Sequence, residues 1–141
     1  MVRLTSTISL LVAFAFLISC QTYSTGLQQS VARADETTAA ASLKTISAAQ
    51  QTYAVSNGGA YGSFQQLFEG GYLDERFNSS TPQIGEYILT MEVSANSYRI
   101  NADPTGTGEQ AARHFYLDST SPLIRVNPKQ PATDKDPLMQ H

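Results

Sequence analysis

The chain has 141 residues, and nine lysines and arginines against twelve aspartates and glutamates give it a formal net charge of −3. That length is one domain's worth of chain. It shows no basic stripe of the kind that holds nucleic acid, and its single cysteine excludes an internal disulfide framework.

The first segment opens on a basic residue, Arg3, and continues as an uncharged apolar run, Ile8 to Ile18, of 11 residues. A membrane-crossing helix needs about 20 apolar residues, whereas the apolar core of a signal peptide takes roughly 7–15. The run ends in Leu17-Ile18-Ser19-Cys20, with a small residue directly before the cysteine and Leu17 three positions before it. This end resembles the lipobox of bacterial lipoproteins. The resemblance implies cleavage between Ser19 and Cys20, acylation of Cys20, and an extracytoplasmic domain anchored to a membrane of the bacterial envelope, periplasmic or at the cell surface. The same residues leave two rival readings: an ordinary signal peptide that leaves a free thiol, and a membrane span. With residues 1–19 removed, Arg3 goes too, and eight basic residues stand against twelve acidic ones, a net charge of −4. One acyl chain holds a protein only marginally. Bacterial lipoproteins carry several on the one cysteine, which implies firm attachment. Gln21 rather than Asp follows the cysteine; in a Gram-negative cell this favours the outer membrane.

Residues 20–30 are polar, with Gly26 among them, and read as a short tether. From about Gln28 to Val55 the pattern is helical. Ala39, Leu43, Ile46, Ala49 and Tyr53 recur at steps of four, three, three and four, one apolar stripe of an amphipathic helix. Lys44, Ser47 and Gln51 are expected on the opposite side. Asp35 and Glu36 complement the helix dipole from its N-terminal half, and Asn57-Gly58-Gly59 ends the element. Ser63 is placed to cap a short helix through Phe64–Phe68, closed by Gly70-Gly71. Tyr72, Leu73 and Phe77 are expected to tuck under a sheet edge.

The period then changes to two. Tyr87, Leu89, Met91 and Val93 alternate with Ile88, Thr90, Glu92 and Ser94, and Ser97 to Ala102 repeats the alternation. Ala95-Asn96 is the expected hairpin turn, with Asn tolerating positive φ. Asp103 to Gln110 reads as a loop, His114 to Asp118 as a third strand and Leu123 to Val126 as a fourth. Residues 128–141 hold Pro128, Pro131 and Pro137 without periodicity, a tail that is loose or draped over the surface. The fold class is therefore α+β: one long amphipathic helix on a four-stranded antiparallel sheet, with residues 31–127 as the domain. Leu43, Ile46 and Tyr53 should meet Tyr87, Leu89, Met91 and Phe115.

These residues, taken in order, resemble the globular head of type IV pilins and pseudopilins. The likeness is carried by Ala39–Tyr53, Gly58–Leu67, Gly71–Asp74, the Tyr87–Ala102 hairpin, Arg113–Asp118 and Ile124-Arg125. It covers roughly residues 27–126. It departs from the family at the start: pilins have a leader cut after glycine and then a long apolar stem, where this sequence carries the lipoprotein-like signal. The resemblance implies a pilin-like head for protein interaction, with envelope or secretion-system proteins as partners, rather than a filament subunit.

Catalytic chemistry finds little support. His114 and His141 are the only histidines, no nucleophile-elbow motif occurs, and the glycine pairs lack the spacing and lysine of a phosphate loop. Zinc would need three or four clustered ligands. Some pseudopilins bind calcium in a late loop, so the resemblance makes Asp118, Asp134 and Asp136 weak calcium candidates, though calcium wants six to eight oxygens. No cofactor is otherwise expected. Three functions follow: a non-catalytic lipid-anchored envelope protein with an interaction head; a minor pseudopilin-like component of a type II secretion or type IV pilus system; and a small envelope ligand binder or hydrolase, which needs a deep pocket of convergent polar groups.

Overall fold

The computed structural model describes the backbone of residues 2–106 and 112–140 and the side chains of residues 26–106 and 112–140. The chain divides into two units, Met1–Arg33 and Ala34–His141. The first helix, α1 (Val2–Ser56), starts well before the expected Gln28, so the residues expected as a tether are helical. The physical reason is the lack of a breaker. Val2–Ser56 contains no proline, and its single glycine, Gly26, costs a helix only about 1 kcal/mol.

Within the second unit, α1 ends where the sequence stops it. Gly58 and Gly59 take left-handed φ of 66° and 88°, and the Gly59 amide donates to the Ala54 carbonyl at 2.8 Å. The short helix α2 (Phe64–Glu69) follows, with a capping box. The Ser63 hydroxyl accepts from the Gln66 amide, and the Gln66 side chain accepts from the Ser63 amide. A 3-10 turn over Glu75–Phe77 is capped by Asp74.

The sheet is an antiparallel meander of five strands in sequence order: β1 (Gln83–Ile84), β2 (Tyr87–Val93), β3 (Tyr98–Pro104), β4 (His114–Asp118) and β5 (Ser121–Asn127). The expected four strands become five because β1 has only two residues, too short for an alternation to register. Its turn was nevertheless written in the sequence. Gly85, at φ 58°, and Glu86 join Ile84 to Tyr87 as a two-residue hairpin with glycine first, which a type II′ turn demands. Between β2 and β3, Asn96 does not adopt the positive φ allowed for it; the Ser94 amide and the Ser97 carbonyl close that turn at 2.8 Å.

Alternation divides the sheet into two faces. Tyr87, Leu89, Ile100, Ala102, Phe115 and Leu117 are buried with Ala39, Leu43 and Ile46 of α1 in one core, against which Tyr53 and Met91 pack. Leu73 and Phe77 complete it from below, with Tyr72 partly buried beside them. Ser47, expected on the outer side of α1, is buried and accepts a hydrogen bond from the Tyr98 hydroxyl at 3.1 Å.

Residues 128–140 are draped, and they are also pinned. The Val126 amide donates to the Pro137 carbonyl at 3.0 Å and the Met139 amide to the Ile124 carbonyl at 2.8 Å, covering the free edge of β5. Asn101 donates from its side chain to the Ala132 carbonyl at 2.8 Å, which carries the tail across the sheet's outer face. Ala132 is 2% exposed and Tyr116 9%. This explains why Phe115, Tyr116 and Leu117 are all buried in a row, a pattern that a sheet with one solvated face does not produce.

Candidate functional site

The side chains of Ser19 and Cys20, on which the cleavage and lipidation expectations rest, lie outside the described residues, as does His141. Among the described residues no helix is long and apolar enough to cross a membrane. The geometry that can be built concerns the sheet's outer face and the polar groups buried on its inner face.

Cross-strand register places outer-face residues in rows. One row runs Glu92, Arg99, Asp118 and Ser121 across β2, β3, β4 and β5. The next runs Thr90, Asn101, Tyr116 and Arg125. In the first row Arg99 is paired with Glu92, both side chains more than half exposed. Asp118 is organised by its own turn. Its Oδ1 accepts from the Thr120 amide at 2.8 Å and from the Thr120 hydroxyl at 2.5 Å, and its Oδ2 accepts from the Tyr116 hydroxyl at 2.9 Å. Burial opposes the charge on Asp118. The hydrogen bonds from Thr120, Tyr116 and the Ser121 amide outweigh it and hold the carboxyl below its ordinary pKa. Burial first, and then the bond to Asp118, pushes the Tyr116 hydroxyl up to about 12.

Two open cavities meet at Tyr116, Asp118 and Thr120. One, of about 370 Å³, lies over Glu92, Tyr98 and Arg99, with serine hydroxyls from the neighbouring turns. The other, of about 250 Å³, lies toward β5 and takes Leu123, Arg125 and, from the tail, Asp134. Both are grooves open to solvent rather than enclosed pockets.

Of the calcium candidates, Asp118 and Asp134 therefore share one cavity wall. Asp136 is engaged elsewhere: it accepts from the Thr133 amide and hydroxyl at 2.7 and 2.9 Å and from the Asn127 side chain at 2.9 Å. Those bonds hold the tail turn and keep Asp136 below its ordinary pKa. Among the described residues no group of three or more His, Cys, Asp or Glu is placed to hold a metal ion. His114 opens β4 and bonds through Nδ1 to Asp103 at 2.6 Å.

On the inner face two polar side chains of α1 do work that the apolar stripe did not announce. Glu36, its side chain 12% exposed, accepts from the Arg113 amide at 3.0 Å and from its guanidinium at 2.8 and 3.1 Å. The Glu36 bond raises the Arg113 pKa, and the pair fixes the start of β4 to the helix. Gln50, fully buried, donates to the Gly62 carbonyl at 2.6 Å and accepts from the Gly62 amide at 2.9 Å. It satisfies both backbone groups of a residue that no ladder reaches.

Compared with protein-family models, curated protein sequences and solved structures, the chain matches none of them.

Proposed function

We propose that the chain is a non-catalytic, lipid-anchored protein of a bacterial envelope, whose α+β head binds a protein partner of that envelope. The observation that carries this reading is the sequence Leu17-Ile18-Ser19-Cys20, with the chain's single cysteine directly after a small residue and an 11-residue apolar run. Acylated Cys20 is the membrane attachment, and envelope or secretion-system proteins are the partners. Support for a binding head comes from the outer face, where open grooves are lined by charged and hydroxyl side chains. Metabolic labelling with a clickable fatty acid tests the anchor. Wild-type protein takes up label and Cys20→Ser does not; an unlabelled wild type, or equal labelling of Cys20→Ser, overturns it.

A second reading makes the chain a minor pseudopilin-like component of a type II secretion or type IV pilus system, held by lipid instead of a stem; the likeness over residues 27–126 supports it. Pull-down from native membranes separates the two. Recovery of secretion or pilus components with the protein supports the second reading, and recovery of none of them overturns it.

A further inference from the structure

We propose that the outer face of the sheet is a binding groove for a neutral oligosaccharide chain. This goes beyond the protein-partner reading and does not depend on Cys20.

The ligand class follows from what the groove offers and what it lacks. Two cavities, of about 370 and 250 Å³ and both open to solvent, share Tyr116, Asp118 and Thr120 in their walls. Neighbouring open cavities suit a chain that lays successive units on one surface. An enclosed, mostly apolar pocket is what a small drug-like ligand needs; here Leu123 is the one aliphatic side chain in either wall. The charged walls are Glu92, Arg99, Asp118, Arg125 and Asp134, one more acid than base. A phosphate or an acidic polymer would meet net repulsion, and a cation would meet two guanidinium groups.

A sugar chain meets complementary chemistry. Each of its hydroxyls both donates and accepts, so it needs donors and acceptors side by side. The hydroxyls of Tyr116 and Thr120 already donate hydrogen bonds to Asp118, which leaves their lone pairs to accept from a ligand. Arg99 is bonded to Glu92 through one of its guanidinium nitrogens, and its fork carries five N–H groups in all. The bonds that Asp118 receives from Thr120 and Tyr116 hold its carboxylate in place, and the strand register shifts between Tyr116 and Asp118, in the shared wall of the two cavities. The groove is thus organised before a ligand arrives, which lowers the entropic cost of binding.

The experiment titrates the full-length protein, held in a sugar-free zwitterionic detergent, with N-acetylchitohexaose, cellohexaose and maltohexaose at millimolar concentration. NMR signals of the Tyr116 ring, the Arg99 guanidinium and the Thr120 amide are followed. At least one hexasaccharide should shift all three and saturate. Asp118→Asn should weaken that binding about tenfold, equivalent to ~1.4 kcal/mol. Arg99→Ala, a substitution at an exposed side chain with little risk to folding, should weaken it about threefold, and Gln65→Ala on α2 should leave it unchanged. Three results overturn the proposal: no hexasaccharide moves these signals; binding persists undiminished in Arg99→Ala; or an uncharged hexapeptide moves the same signals while the sugars do not.

Discussion

On its inner face the sheet sets Tyr87, Leu89, Ile100, Ala102, Phe115 and Leu117 against the apolar stripe of α1; on its outer face it sets Asn101, Tyr116 and Arg125 beneath a proline-containing tail. The inner cover is a rigid element that excludes water by area. The outer cover has little apolar area, and hydrogen bonds between side chains and main-chain carbonyls fix it: Asn101 to Ala132, and Arg125 to Asp136 at 2.7 Å. The two covers should fail differently. Loss of apolar volume inside lowers the stability of the whole unit. Loss of one bond outside frees a strip of chain and leaves the rest folded.

Leu43→Ala is the strongest way to break that contrast. Leu43 is fully buried at the centre of the helix–sheet contact, and truncating it removes transfer energy and leaves a cavity, a loss of about 2–5 kcal/mol. The midpoint of a urea titration reads it. Leu123→Ala, exposed on β5, should change the stability read from that midpoint by less than about 0.5 kcal/mol. Comparable losses from the two substitutions would mean that the outer face contributes to the core.

Gln50→Leu sharpens the contrast from the inside. The replacement keeps the bulk and removes the polar end, so the Gly62 amide and carbonyl lose their buried partners. Orphaned buried groups cost about 1–3 kcal/mol. The expected result is a lower urea midpoint with an unchanged slope, because the folded state keeps its area. A gain in stability would show that the buried amide is dispensable and that packing alone closes this end of the helix.

What could be read in advance follows the same division. The stripe Ala39, Leu43, Ile46 and Ala49 and the alternations of β2, β3 and β4 are periodic, and periodicity reports burial, so the core was legible. Ser47 and Gln50 were not, because a polar residue on an inner face is indistinguishable from a solvated one until its partner, Tyr98 or Gly62, is placed. The tail escaped for a related reason. Its hold on the sheet comes from carbonyls at Ala132, Asp136 and Pro137, and every residue has a carbonyl. One local clue existed: Thr133 and Asp136 are spaced for a side-chain-to-amide turn, which the structure closes at 2.7 Å. Asp118, Asp134 and Asp136 enter only as calcium candidates that the resemblance implies; Asp118 and Asp134 line one cavity, Asp136 is bonded within the tail, and among the described residues no group of three or more His, Cys, Asp or Glu is placed to hold a metal ion. What sequence could not supply is the row Glu92, Arg99, Asp118 and Ser121, since register across four strands depends on every turn between them.

The smallest expected effect belongs to the outer cover. Asn101→Ala removes the bond to the Ala132 carbonyl, a neutral hydrogen bond at a half-buried site, and the loss should be about 1 kcal/mol. Native-state hydrogen exchange resolves where that loss falls. The Val126 and Met139 amides, which bond to the tail and to β5 respectively, should exchange roughly fivefold faster if the tail opens on its own. The amide of Ile100, in the middle of the sheet, should keep its wild-type rate. Equal acceleration at Ile100 would show that tail and sheet open together, and the outer cover would then be part of the same cooperative unit as α1.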